Sequence, residues 1–210
     1  MKQTEQTELI TTITGYLQRE VFSALPDHLY YHNITHTMND VLPAAVHLAT
    51  LESIPAGELF LLKTAVLFHD TGFIRRYPNN EEFGAQIAGE VLPDFGYSKD
   101  QIQRIRNIIL ATRIAPVKDR FVQSAGDDLL EKIICDADLD NFGRNDFFEK
   151  NANLYREMGY FGPVPNDREW IDYTIFILET HRYYTDKATR LRAKRQTENL
   201  ALARKKQPNS

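Results

Sequence analysis

A single cysteine, Cys135, leaves the chain without an internal disulfide and sets aside the disulfide-stapled secreted folds. No run approaches the ~18 consecutive apolar residues that a membrane span needs. The opening stretch, MKQTEQTELI, is too polar for the apolar core of a signal peptide. The cytoplasm is therefore the expected compartment, and no membrane partner is expected. Long alternations of apolar and polar residues are also missing, which argues against a sheet-based fold. What remains is 210 residues, 42% hydrophobic and 26% charged, an ordinary globular composition long enough to bury a full core.

The net charge of −4 hides an asymmetry. Residues 181–210 hold nine Lys or Arg and two Asp or Glu, leaving 16 basic and 27 acidic residues for the rest of the chain. An acidic body of this kind argues against broad nucleic-acid binding and is compatible with a site that holds cations. The basic segment, with Tyr183 and Tyr184 beside its arginines, is expected to dock on that body or to support a homodimer rather than to stack on nucleic acid.

Apolar spacing is helical almost throughout. A first helix is expected over about Glu5–Ser23, ending before Pro26, and a second from Thr35 as N-cap to about Leu51. The next begins near Pro55, carries Leu59, Leu62, Val66 and Phe68, and stops at Gly72 as a C-terminal glycine. Further helices are expected over Glu81–Leu92, from a Ser98/Gln101 capping box to about Thr112, from Asp127, over Asp146–Met158, over Asp167–Tyr184 and over Lys187–Ala203. RIAPVKDRFVQSAGD reads as a long loop and KKQPNS as a frayed end. The expectation is an all-α, single-domain bundle: an N-terminal helix over 1–25, a body over 26–185, and a basic C-terminal helix and tail over 186–210.

Three clusters could carry chemistry. Four of the six histidines fall between His28 and His47, with His32 and His36 four residues apart, or one face of a helix if the segment is helical. The plain alternative is a surface cluster with one ring in the core. AVLFHDTGF ends an apolar run in His69 and Asp70; two ionisable groups beside Val66, Leu67 and Phe68 need a partner or a metal. The alternative is a helix-end histidine on the last carbonyls with Asp70 exposed. CDADLD offers Asp136, Asp138 and Asp140, among which helical phase does not choose, and the alternative is a solvated acidic face. Taken in order, His36, His69-Asp70 and an aspartate near 138 make a mixed N/O set suited to a divalent transition metal.

The stretches YHNITHTMNDV, LFHDTGF and IICDADLDNFGRNDFFE, with softer similarity through ETHRYYTDKATRLRAKRQ, resemble the HD-domain superfamily of metal-dependent phosphohydrolases, named for the His-Asp pair. The likeness covers about Tyr30 to Gln196. It implies an all-α bundle of the HD/phosphodiesterase type, with His36, His69, Asp70 and Asp138 as metal ligands and Asp70 also orienting the reactive water. It implies a divalent metal, for which manganese, iron, magnesium, nickel, cobalt and zinc all suit the donors. The implied substrate is a phosphomonoester, phosphodiester or phosphoanhydride, by family a nucleotide.

YHNxxH also resembles the first motif of cyclic-nucleotide phosphodiesterases. By that likeness His32 is the general acid, with Asn33 near it, and cyclic-nucleotide hydrolysis is the alternative activity. His32 buttressing its loop is the structural alternative. Two positions depart from the binuclear members of the superfamily: Asn80, and Thr112-Arg113, stand where histidines are expected. One metal is therefore expected, with Glu81 or Glu82 reaching a second ion only through water, and a dinuclear iron oxygenase is disfavoured. The same departures leave room for a metal-binding regulatory module with little catalysis. Arg76 and Arg113 are candidate phosphate contacts, with Arg75 and Arg144 as lesser ones. His181 is expected to pack or to cap a helix.

Overall fold

The computed structural model describes residues 2–117, 119–162 and 165–207. Its helices are α1 Gln3–Glu20, α2 Leu42–Leu51, α3 Ala56–Phe68, α4 Asn80–Val91, α5 Lys99–Ala111, α6 Leu129–Asp138, α7 Phe147–Phe161, α8 Asp167–Thr180 and α9 Asp186–Lys206. The protein is mostly helical, as its periodicity requires.

Helix α3 is the hub. It touches α1, α2, α4, α5 and α6, and every residue from Thr64 to Phe73 is buried. A helix apolar on all sides belongs in a core, so the chemistry-bearing end of α3 is held by packing from several directions. A second, smaller core forms around Phe142, Phe147, Ile177 and Leu178, under α7, α8 and α9.

Four expectations are corrected. RIAPVKDRFVQSAGD is not a plain loop: Ile114–Val117 (β1) and Arg120–Gln123 (β2) pair as an antiparallel hairpin, Ile114 opposite Gln123. Four-residue strands are too short to show a period in the sequence. The second helix does not open on a Thr35 cap. His36–Val41 is a π-helical turn, and the side-chain cap comes from Asn33, whose Oδ1 accepts from the Thr35 N–H at 2.9 Å. Short π turns inside helices are uncommon and occur often at functional sites.

Gly72 does not end α3, which stops at Phe68; it lies in a 3₁₀ turn, Thr71–Ile74. Its φ is not left-handed. A Cβ at Gly72 would come within 1.8 Å of the Asn80 carbonyl oxygen and 2.7 Å of the Gly84 nitrogen. Glycine is needed there because two backbones meet. Finally, α8 ends at Thr180 rather than Tyr184, and α9 runs through Lys205 and Lys206, which were expected to fray; residues 208–210 lie outside the described residues. The Ser98/Gln101 capping box is formed as expected.

The acidic run 136–140 is not a solvated face. Asp136 is fully buried and accepts from the backbone N–H groups of Tyr184 (2.7 Å) and Thr185 (2.9 Å) and from the Thr185 hydroxyl (2.7 Å). Burial pushes its carboxyl up to about 6, against the lowering effect of those hydrogen bonds. Asp140 takes a two-point contact from Arg192, Nε at 2.6 Å and Nη2 at 2.8 Å. The basic C-terminal helix is therefore docked on the acidic body by the two aspartates that flank Asp138. His181 packs edge-on against Phe142 and Tyr183, and burial brings its imidazole down to about 4.

Candidate metal centre and cavity

Three segments converge where α3 ends. The π turn brings His36, the end of α3 brings His69 and Asp70, and the end of α6 brings Asp138. Ligand atoms of His36, His69 and Asp70, all buried, lie within 4.8 Å of one another. His69 Nε2 is 3.2 Å and His36 Nε2 3.8 Å from Asp70 Oδ2. Asp138 Oδ1 joins at 3.1 Å from His36 Nε2 and 3.7 Å from His69 Nε2. Donors about 2.1 Å from one ion stand ~3.0 to ~3.4 Å apart in octahedral or tetrahedral arrangement. The 3.1 and 3.2 Å separations fall in that range and the 3.7 and 3.8 Å ones lie just above it, so a small divalent cation would draw the group slightly closer.

The hydrogen bonds fix how the donors face. His69 Nδ1 sits 2.7 Å from the Val66 carbonyl oxygen and must be the protonated nitrogen there. In neutral His69, Nε2 then carries a lone pair and points at the Asp70 carboxylate. Both His69 Nε2 and Asp70 Oδ2 are buried without a hydrogen-bond partner. Two facing acceptors in a buried site repel each other unless a cation, proton or metal, lies between them.

Around this group stands a supporting layer. Gln123 Nε2 donates to Asp138 Oδ2 at 2.7 Å and to the Thr112 carbonyl at 3.1 Å. Asp40, one helical turn on from His36, lies 3.8 Å from its Nδ1 and is held by Arg144 Nη2 (2.8 Å) and Lys150 Nζ (2.6 Å). Outer partners of this type set ligand orientation and basicity. Burial disfavours the charged form of His36, but Asp138, Asp40 and Asp70 outweigh it and raise the ring to about 9. Burial likewise opposes charge on His69, and Asp70 and Asp138 raise it. The two carboxylates are held low by the same rings, against their own burial.

His32 lines the cavity beside the group and stacks on Phe73, ring centroids 4.5 Å apart. Its Nδ1 bonds Glu157, a carboxylate with no exposure that also accepts from the N–H groups of Tyr31 (2.7 Å) and His32 (3.0 Å) and from the Tyr77 hydroxyl (3.0 Å). Burial works against a charged His32, yet the Glu157 carboxylate raises it. Glu157 and Gln123 were not singled out in the sequence. Glu157 stands 125 residues from His32 in an amphipathic helix, and no local pattern marks it.

The remaining predicted residues lie elsewhere. Asn33 spends its amide on backbone: Nδ2 donates to the carbonyls of Leu29 (3.0 Å) and Tyr30 (3.1 Å) while Oδ1 caps the turn. Arg113 is exposed and bonds Glu82 (2.8 Å) and Asn79 (3.3 Å), and Arg76 is exposed. None of the three lines the cavity. Arg75 pairs with Glu90, and Arg144 serves Asp40 and Asp146. Asn80, Glu81 and Thr112 do line it, so the positions that depart from the binuclear pattern face the same space. Burial, then Asp70 and Asp138, raise the Glu81 carboxyl.

No helix among the described residues is long and apolar enough to cross a membrane. Comparison with protein-family models, curated proteins and solved structures finds no match to this chain.

Proposed function

We propose that the protein is a hydrolase of phosphate esters or anhydrides that works with one bound divalent metal. Within that class it is best read as an HD-type phosphohydrolase. The observation that carries the reading is the buried, unpartnered pair His69 Nε2 and Asp70 Oδ2, 3.2 Å apart and completed by His36 and Asp138. The order His36, His69-Asp70, Asp138 along the chain, with YHN upstream, supports the same class.

His36, His69, Asp70 and Asp138 would hold the ion. When bound, such an ion acidifies water and polarises a phosphoryl oxygen. The chain's own residues supply the proton traffic. Asp70 also lines the cavity, and with its Oδ2 turned to the two imidazoles its Oδ1 is left to take the proton of the attacking water. His32, with Nδ1 committed to Glu157, has Nε2 left to protonate the leaving oxygen as the P–O bond breaks. Glu157 raises His32 toward the protonated form that this role needs.

The test is elemental analysis of the purified protein, followed by a phosphatase panel of nucleoside mono- and triphosphates, cyclic AMP, cyclic GMP and simple phosphomonoesters. About one ion per chain and turnover that Asp70→Ala abolishes, with unchanged far-ultraviolet dichroism, are expected. Stoichiometric metal with no turnover on any phosphoester would support a regulatory module instead. Undiminished turnover in Asp70→Ala would refute the mechanism.

A further inference from the structure

The cavity beside the candidate metal centre has two unlike kinds of lining. Asp70, Asp138 and His32 bring the ionisable groups of the centre to it. Much of the remaining wall is apolar: Phe121, Phe142, Phe147 and Ile177 from the second core, with Leu154 and Met158. Among the described residues no Lys or Arg lines it, and Arg76 and Arg113 stand outside. The polar groups on its wall include two neutral amides, Asn80 and Asn141. Both are more than nine-tenths buried, and the Oδ1 of each has no hydrogen-bond partner. Buried amide oxygens left in this way are costly unless a ligand or water meets them. The cavity volume is about 190 Å³, somewhat above the ~150 Å³ of an apolar cavity that takes one benzene ring.

Resting on the phosphohydrolase reading above, we infer that the substrate is a phosphomonoester of an uncharged, largely apolar, ring-sized alcohol or phenol that carries a hydrogen-bonding group for Asn80 or Asn141. One phosphoryl group sits against the carboxylates and His32, and the organic body lies against the apolar side chains, Phe142 and Leu154 among them. A polyphosphate does not suit this site. Its further phosphates would bring several negative charges into a space where Asp70, Asp138 and Glu81 already stand and where, among the described residues, no Lys or Arg adds to the charge of His32 and the bound ion. Most of the wall is apolar, so selectivity comes from burying the ring, with the two amides fixing its orientation.

Two arms test this. In the first, the manganese-loaded protein is assayed with 4-hydroxyphenyl phosphate, glycerol 3-phosphate, AMP and ATP. A kcat/KM at least tenfold higher for 4-hydroxyphenyl phosphate than for the other three is expected. Preference for glycerol 3-phosphate, AMP or ATP overturns the inference while leaving the phosphohydrolase reading intact. In the second, p-cresol is titrated by calorimetry into metal-free protein and into Leu154→Trp, whose half-buried position at the cavity wall lets the indole fill the space. Saturable binding to the native chain, weakened at least fivefold in Leu154→Trp, is expected. Leu154→Lys is the second variant, for use if the indole disturbs folding, and should weaken binding by placing a cation on the apolar wall. Absence of saturable binding, or binding that neither variant changes, overturns the inference. This arm needs no turnover, so it decides the cavity's preference even if every phosphoester proves inert and the phosphohydrolase reading fails.

Discussion

Glu157→Gln isolates the buried carboxylate behind His32. The native side chain accepts four hydrogen bonds: Oε2 takes the N–H groups of Tyr31 (2.7 Å) and His32 (3.0 Å), and Oε1 takes the Tyr77 hydroxyl (3.0 Å) and His32 Nδ1. Glutamine keeps the shape but has one acceptor oxygen. That oxygen should stay on the two backbone donors, which cannot reorient. The new NH₂ then faces Tyr77, whose hydroxyl can rotate to accept, and His32, which must surrender its Nδ1 proton. Charge-assisted bonds contribute about 1.5–3 kcal/mol against about 0.5–1.5 for neutral ones. Relief of the carboxylate's desolvation offsets part of that loss. A net destabilisation of about 2–3 kcal/mol follows, or a fall in Tm of about 4–12 °C for a domain of this size.

The pH dependence has a definite sign. His32 is raised in the fold, so its contribution is complete below its ordinary 6.5 and is lost as pH rises through the folded value. Glu157 is lowered, so its contribution is present above its ordinary 4.5 and is lost as pH falls through the folded value. The stability gap between native protein and Glu157→Gln should therefore be widest between about pH 4.5 and 6.5. Thermal or urea unfolding across that range measures the gap, and proton–carbon NMR of the His32 ring reads its titration, expected to drop once the Glu157 charge no longer opposes burial. An unchanged His32 titration, or a gap below about 0.5 kcal/mol at pH 6, would refute the assignment of Glu157 as its positioning residue.

Three further outcomes follow from the same geometry. Gly72→Ala puts a methyl 1.8 Å from the Asn80 carbonyl oxygen and should cost about 3 kcal/mol or more in urea unfolding, at or above the upper end for an overpacked site. Gly57→Ala, with nothing within 4 Å of its Cβ, should instead stabilise α3 by about 0.5–1 kcal/mol; equal effects for the two would refute the close-packing account. Metal affinity should rise with pH up to about 9, because His36 must give up the proton that burial opposes and Asp138, Asp40 and Asp70 favour. In metal-free protein the stability owed to charged His36 is complete below pH 6.5 and fades as pH rises through about 9; calorimetric titration with manganese at three pH values and unfolding of the apo-protein read the two effects. Gln123→Leu removes the 2.7 Å bond to Asp138 Oδ2 and should weaken metal binding about 10–100-fold, whereas unaltered affinity would make Gln123 a bystander.

The helical class was legible because each long helix carries a period of apolar residues that does not depend on its neighbours. Local signals with fixed offsets, such as the Ser98/Gln101 box, were equally readable. The hairpin was not, since four-residue strands carry too little pattern. Missing it also hid Gln123, which β2 delivers to Asp138. Arg76, Arg113 and Asn33 were singled out for chemistry that suits a phosphate, but proximity in sequence to a motif does not place a side chain in a cavity.

The acidic run shows most clearly what each level decides. By itself the sequence determined that Asp136, Asp138 and Asp140 lie at the end of an amphipathic helix, and that His36 and His69-Asp70 precede them. It could not sort the three. Tertiary structure assigns Asp136 to the Tyr184–Thr185 backbone, Asp140 to Arg192, and Asp138 to the two imidazoles. It likewise supplies Glu157 to His32 from 125 residues away. The physical reason is common to both cases. A buried charge is settled by the groups that come to meet it, and those groups arrive on other helices, at distances along the chain that no local period encodes.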